Sequence, residues 1–288
     1  SKTTIYEGES ILLSAKVYSH FEPTHLDSYL PYEMKGALDK HSIGNPGRIV
    51  VEQEKYKGQQ LFSFEYDKNI VFPAGTGSFK IRPFTMNLHQ RYKRFLMNSS
   101  HAIIEIIPLP SNPPKDFIGG VGNFRIERTL EGVDLKQGDV FKMIITISGA
   151  GNLQNTLEPT PTLPKGYIIY GDPVVTENFT YGSQGAEGKI KYEYNIQVSK
   201  SGNLTLPAST MSYFDLALEK YVTLSTDDDE IKVKHDANYN VTDIDNTNNG
   251  ILTELSEIPK LRHSNEESIL SSFYGTSIYW ISLGTPLF

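Results

Sequence analysis

The chain has 288 residues, 38% of them hydrophobic and 21% charged, a balance that excludes wholesale disorder and fits about two domains. A net charge of −7 argues against nucleic acid as a partner, because phosphate-backbone recognition rests on clustered Lys and Arg. Cysteine is absent, which excludes disulfide frameworks, thiolate metal sites and cysteine nucleophiles.

The opening "SKTTIYEGES" has neither the basic n-region nor the apolar h-region of a signal peptide. With a strand starting near residue 4 and no initiating Met, the chain reads as a processed or excised fragment. In "YEGESILLSAKVYS" (6–19) a Gly-Glu turn precedes Ile11, Leu13, Ala15 and Val17 at every second position, the period of a strand with one buried face. The next segment, "SHFEPTH" (19–25), brings together His20, Glu22 and His25. Their spacing differs from the helical HExxH arrangement and Pro23 opposes a helix, so this reads as a polar loop rather than a metal site. An insertion at 30–47, "LPYEMKGALDKHSIGNPG", is expected to hold a short helix from about Tyr32 to His41, stopped by Gly44 and Pro46.

"FEYDKNIVFPAGTGSFKIRPFTM" (64–86) continues the alternation through a turn at Gly77. The four prolines of "PLPSNPPKD" (108–116) remove backbone donors and predict a semi-rigid linker acting as a hinge. Beyond it the first pattern returns. "KQGDVFKMIITISG" (136–149) repeats the Gly-acid turn and the alternating strand with Phe141, Met143, Ile145 and Ile147, and "YEYNIQVSKSGNLTLPASTM" (192–211) repeats 64–86 with its turn at Gly202. Two related all-β units are therefore expected, with short strands and turn signals every 8 to 12 residues, as in immunoglobulin-like sandwiches.

In the second unit "SGAGN" (148–152) follows a strand, but the prolines after it and the missing Lys distinguish it from a phosphate-binding loop; it reads as a sandwich end-loop. The Pro-rich run 157–175 favours extended backbone, and Tyr167 and Tyr170 would offer rings to a sugar if exposed. "TDDDE" (226–230) supplies carboxylates without the spacing or central Gly of an EF-hand, and reads as a solvated turn between "YVTLS" and "IKVK". No G-x-S-x-G occurs and the seven His are scattered, so no nucleophile set emerges. Four N-x-S/T triplets, at Asn98, Asn178, Asn203 and Asn240, matter only in a glycosylating host.

After residue 235 the alternation stops. "HDANYNVTDIDNTNNG" reads as a polar linker, a weak helix is expected over 265–275, and "SIYWISLGTPLF" (277–288), uncharged and holding the only Trp, reads either as the head of a membrane-spanning helix cut short or as an apolar terminus or last strand.

The stretches "FIGGVGNFRIERTLEGVDLKQGDVFKMIITISGAGNL", "GDPVVTENFTY", "KYEYNIQVSKSGNLTLPASTMSYFD" and "KYVTLS" resemble the BatD family of bacterial aerotolerance proteins. The resemblance is close over about 113–235 and extends to the first unit through residues 6–19 and 64–81; segment 30–47 has no matching family motif, and the family's leader and additional N-terminal β region are missing. Matched motif positions are Gly149, Gly151 and Asn152, then Asp172 and Pro173, then Ser212, Tyr213 and Phe214 with Asp215.

The resemblance implies an extracytoplasmic, non-enzymatic protein anchored to the bacterial cytoplasmic membrane, with no cofactor and no catalytic or metal-ligating residues to carry over. It also implies a setting of membrane proteins with von Willebrand factor A domains and of MoxR-type AAA+ ATPases. An A domain holds Mg²⁺ that accepts a partner's carboxylate, so Asp215 or the run Asp227, Asp228, Asp229 and Glu230 are candidate docking residues. The expected architecture is all-β: immunoglobulin-like sandwiches at 1–110 and 111–235 joined by the Pro-rich linker, a polar stalk at 236–276 and the anchor's start at 277–288. The expected function is a periplasmic interaction scaffold in oxygen tolerance; a carbohydrate-binding or adhesion module of the envelope is the other reading.

Overall fold

A computed structural model describes residues 3–239, except 31–36, 44–49, 74 and 183–184. The linker beyond 239, the helix expected at 265–275 and the apolar end at 277–288 lie outside the described residues. The described residues form one compact unit.

The chain is all-β. Its first ten strands are β1 (Thr4–Tyr6), β2 (Ile11–Ser19), β3 (His25–Leu30), β4 (Ala37–Ser42), β5 (Glu52–Tyr56), β6 (Gln59–Pro73), β7 (Gly77–Ile81), β8 (Thr85–Gln90), β9 (Lys93–Asn98) and β10 (Ala102–Ile107). The helix expected over 32–41 is replaced at its C-terminal end by β4, which pairs antiparallel with β6; the rest of that segment falls largely outside the described residues. The sheet ladder of a long neighbouring strand overrides local helix preference there.

After residues 108–116 come β11 (Phe117–Glu131), β12 (Leu135–Lys136), β13 (Val140–Gly151), β14 (Tyr167–Gly182), β15 (Gly185–Val198), β16 (Gly202–Leu206), β17 (Thr210–Asp215), β18 (Lys220–Ser225) and β19 (Asp229–Lys234). Among the described residues a single 3₁₀ turn, Leu153–Asn155, interrupts them.

Pairing repeats between the halves. A three-stranded sheet β1-β10-β7 has its counterpart in β12-β19-β16, each with one parallel and one antiparallel contact. The antiparallel pairs β2–β6 and β13–β15 correspond, as do the hairpins β8–β9 and β17–β18. The difference lies at the strand beside the hairpin. In the first half it is β3, antiparallel to β8; in the second it is β11, parallel to β17 and also paired with β13, so six strands join in the order β14-β15-β13-β11-β17-β18.

Each half has its own core, built from the inward phase of the alternation. Val17, Phe64, Met86, Leu88 and Ile106 fill the first; Phe141, Met143, Ile145, Ile147, Tyr194 and Ile196 fill the second. A third cluster joins them: Ile70 and Phe72 of β6, with Ile43, pack against Tyr181 and Ala186 at the tip of the β14–β15 hairpin. The His41 ring lies flat on Tyr181 at 3.6 Å between centroids and is held by Asp39 through Nε2 at 2.5 Å. Burial, and then the nearby carboxylates of Asp39 and Glu177, push the Tyr181 hydroxyl's pKa up.

Candidate interaction site

The acidic run 227–230 is built from the far end of β11. Phe124, Ile126 and Leu130 point inward along that strand, and Arg128 occupies the same phase. Its side chain is only 1% exposed. The guanidinium donates from Nη1 to the Pro207 carbonyl at 2.5 Å and from Nη2 to the Asp227 carbonyl at 2.6 Å. Nε and Nη2 both reach Asp229 Oδ2, at 2.9 and 2.6 Å. A buried guanidinium fork therefore ties the turn after β16 to the turn before β19.

The four acids consequently differ. Asp229 belongs to Arg128, and Asp228 accepts the Ala208 N–H through Oδ1 at 2.6 Å. Asp227 and Glu230 are exposed, and neither side chain makes a hydrogen bond or ion pair among the described residues. Asp215 is 6% exposed, and its Oδ1 accepts the N–H groups of Ala217 and Leu218 at 2.8 and 3.0 Å, capping the β17–β18 turn.

The motif-matched positions other than Asp172 and Pro173 gather around a different place, the joint between the halves. Gly122 pairs with Gly151 and Phe124 with Gly149 across β11 and β13. A Cβ on Gly149 would lie 2.1 Å from the Asn123 carbonyl oxygen, and one on Gly151 2.2 Å from that of Val121, so the two strands approach as only glycine permits. Asn152, almost fully buried, closes the ladder: its Oδ1 accepts the Val121 N–H at 2.6 Å and its Nδ2 donates to the Gly119 carbonyl at 3.1 Å. Gly8, in the first half's opening turn, lies against this amide and Val121; a Cβ there would stand 2.9 Å from Asn152 Nδ2.

Ser212, Tyr213 and Phe214 complete the joint. Phe214 meets Tyr6 of β1 edge-to-face at 4.9 Å and Tyr221 at 5.5 Å, and Tyr221 packs against Phe117 at 5.0 Å. The Tyr221 hydroxyl donates to the Pro110 carbonyl at 2.7 Å, while Ser212 donates from Oγ to Asp116 Oδ1 at 2.7 Å. Tyr213 stacks edge-on with Phe124 at 5.3 Å, and burial, followed by the Asp215 carboxylate, raises its pKa. The Pro-rich segment is thus strapped at both ends rather than free to act as a hinge. Replacing Ser212 by Ala together with Tyr221 by Phe is expected to speed trypsin cleavage after the exposed Lys115 by roughly thirtyfold, since two bonds of about 1 kcal/mol each restrain local opening. An unchanged cleavage rate would show that the proline backbone alone restrains the segment.

The remaining sequence candidates stay apart. Asp172 and Pro173 sit where the register between β14 and β15 shifts, with Asp172 exposed. Tyr167 is buried in the second core while the Tyr170 hydroxyl donates to Gln197, so the two rings form no common sugar platform. His20, Glu22 and His25 are exposed, and among the described residues no group of three or more His, Asp or Glu is placed to hold a metal ion. Also among the described residues, no helix is long and apolar enough to cross a membrane.

The stretch that carries the β13 side of the glycine ladder and the acidic turn has a match among known families. Residues 129–233 match the BatD DUF11-like domain. Over that span the chain is similar to a BatD-family domain. No curated protein matches the chain. Within the matched span lie Gly149 to Asn152, Asp172, Pro173, Ser212 to Asp215 and the acidic turn, with Arg128 one residue ahead of it. Arg128, Tyr6 and the His41–Tyr181 stack were missed in the sequence. Only Arg128 left a signal there, a charged residue at the inward phase of an alternating strand.

Proposed function

We propose that this BatD-domain protein is a non-enzymatic scaffold of the bacterial envelope, working outside the cytoplasmic membrane in oxygen tolerance and engaging A-domain membrane proteins of a MoxR-type system. The BatD domain supports the aerotolerance setting. The observation that carries the docking role is the acidic turn: the Arg128 clamp fixes the backbone while Asp227 and Glu230 face solvent unspent. A carboxylate held on a fixed backbone loses little conformational entropy on coordinating a partner's Mg²⁺, the advantage of preorganisation.

The test is capture from native membrane extract with the full chain as bait, in Mg²⁺ or in EDTA. An A-domain membrane protein is expected to be retained with Mg²⁺ and lost with EDTA, and Asp227→Asn with Glu230→Gln is expected to lower retention by at least about tenfold. Retention indifferent to EDTA and to both substitutions removes the carboxylate-on-metal contact and leaves the scaffold. Enrichment of no envelope protein in either condition overturns the scaffold itself.

A further inference from the structure

The first half holds a charge feature that the scaffold reading does not use. From Lys68 to Ile104 the sequence contains six Lys or Arg and no Asp or Glu, in a chain whose net charge is −7. Three of the six, Arg91, Lys93 and Arg94, fall at the tip of the β8–β9 hairpin, where Gln90 pairs with Lys93 across a two-residue turn. All three are exposed and make no ion pair among the described residues. Between them Tyr92 is fully exposed, at 102%.

The tip is firmly held. Thr24 of the preceding loop donates its N–H to the His89 carbonyl at 2.9 Å, and its hydroxyl accepts the Arg91 N–H at 3.3 Å. Arg91 has φ 55°, a left-handed conformation that two-residue hairpin turns normally give to Gly or Asn. Below the tip, Phe95 and Met97 face the first core, while Arg94 and Leu96 point outward, Leu96 at 62% exposure. The bracing loop contributes one exposed carboxylate, Glu22.

We infer that this hairpin tip docks on the surface of an anionic phospholipid bilayer, with Tyr92 in the interface and Arg91, Lys93 and Arg94 on lipid phosphates. An aromatic ring with a polar end, flanked by cations on flexible stems, suits the boundary between headgroups and acyl chains. A stable protein interface instead needs some 20 to 30 residues on each side. A two-residue tip bearing one aromatic is far smaller than that, but large enough for interfacial anchoring. Each cation near an anionic membrane surface strengthens binding by about fivefold, so the three together supply roughly a hundredfold. The inference does not depend on the A-domain reading.

The experiment is co-sedimentation of the full chain with vesicles rich in phosphatidylglycerol or made of phosphatidylcholine alone, at low and high salt. Binding is expected to the anionic vesicles only and to weaken with salt. A triple Arg91→Ala, Lys93→Ala, Arg94→Ala variant is expected to bind at least tenfold more weakly with an unchanged melting temperature, because these side chains have no partner in the fold. Tyr92→Ala is expected to lose several-fold. Equal binding to both lipids, or equal binding by the wild-type chain and the triple variant, would overturn the inference by assigning membrane contact to another part of the chain. No vesicle binding, even with an acidic protein or polyanion captured instead, overturns it as well.

Discussion

Replacing Arg128 by Met is expected to lower stability by about 3 kcal/mol and the thermal midpoint by roughly 6–12 °C. The cost does not come mainly from the ion pair. Asp229 is 42% exposed, so solvent screens much of its attraction. It comes from the carbonyls of Leu206, Pro207 and Asp227, which the guanidinium serves from a nearly water-free position and which Met cannot serve, although the Thr226 hydroxyl still reaches the Asp227 carbonyl at 3.3 Å. Arg128→Lys should recover less than half the loss, because one ammonium cannot span groups on both sides of the planar fork. Hydrogen exchange gives the local readout: the Ala208 amide, bound to Asp228, should exchange faster as the acidic turn loosens. A loss below about 1 kcal/mol would mean that water replaces the guanidinium at no great cost, and the turn would not be preorganised by Arg128.

The second large effect belongs to the glycine ladder. Ala at Gly122 or Gly149 is expected to cost about 3 kcal/mol or more, or to prevent folding of the second half. At Gly122 a Cβ would stand 2.1 Å from the Ala150 carbonyl oxygen, and at Gly149 it would stand 2.1 Å from that of Asn123, with φ at 152° and 148°. Both obstacles are backbone atoms of a paired strand, so no rotamer change relieves them. Gly119 is the control. Its φ is 80° but nothing lies within 4 Å of its missing Cβ, and Gly119→Ala should cost only about 1 kcal/mol for the left-handed conformation. Thermal midpoints of the three variants measured side by side test the difference. If Gly149→Ala melted with Gly119→Ala, the close approach of β11 and β13 would be relaxed in solution.

The two halves show how far local pattern reaches. Ile145, Ile147 and Val17 were legible as core because side chains in a strand alternate sides whatever lies opposite. The same rule revealed the duplication, since two stretches with one turn and one alternation fold alike. It failed at 37–42, where a strand is dictated by its neighbour β6, and at the motif-matched turns. Gly149, Gly151 and Asn152 were readable as turn residues, but their partners are Asn123, Val121 and Gly119 on another strand, with Gly8 from the other half closing over them.

Sequence by itself determined that this chain is all-β and repeated, because those properties follow from residue type and period. Only the tertiary structure decided which carboxylates are free. Asp215 and Asp227 to Glu230 look alike along the chain, yet Asp215 caps its own turn, Asp228 holds Ala208 and Asp229 is taken by an arginine about a hundred residues upstream. A carboxylate's availability is set by whatever donor folding brings within about 3 Å, and no periodicity encodes a donor that distant in the chain.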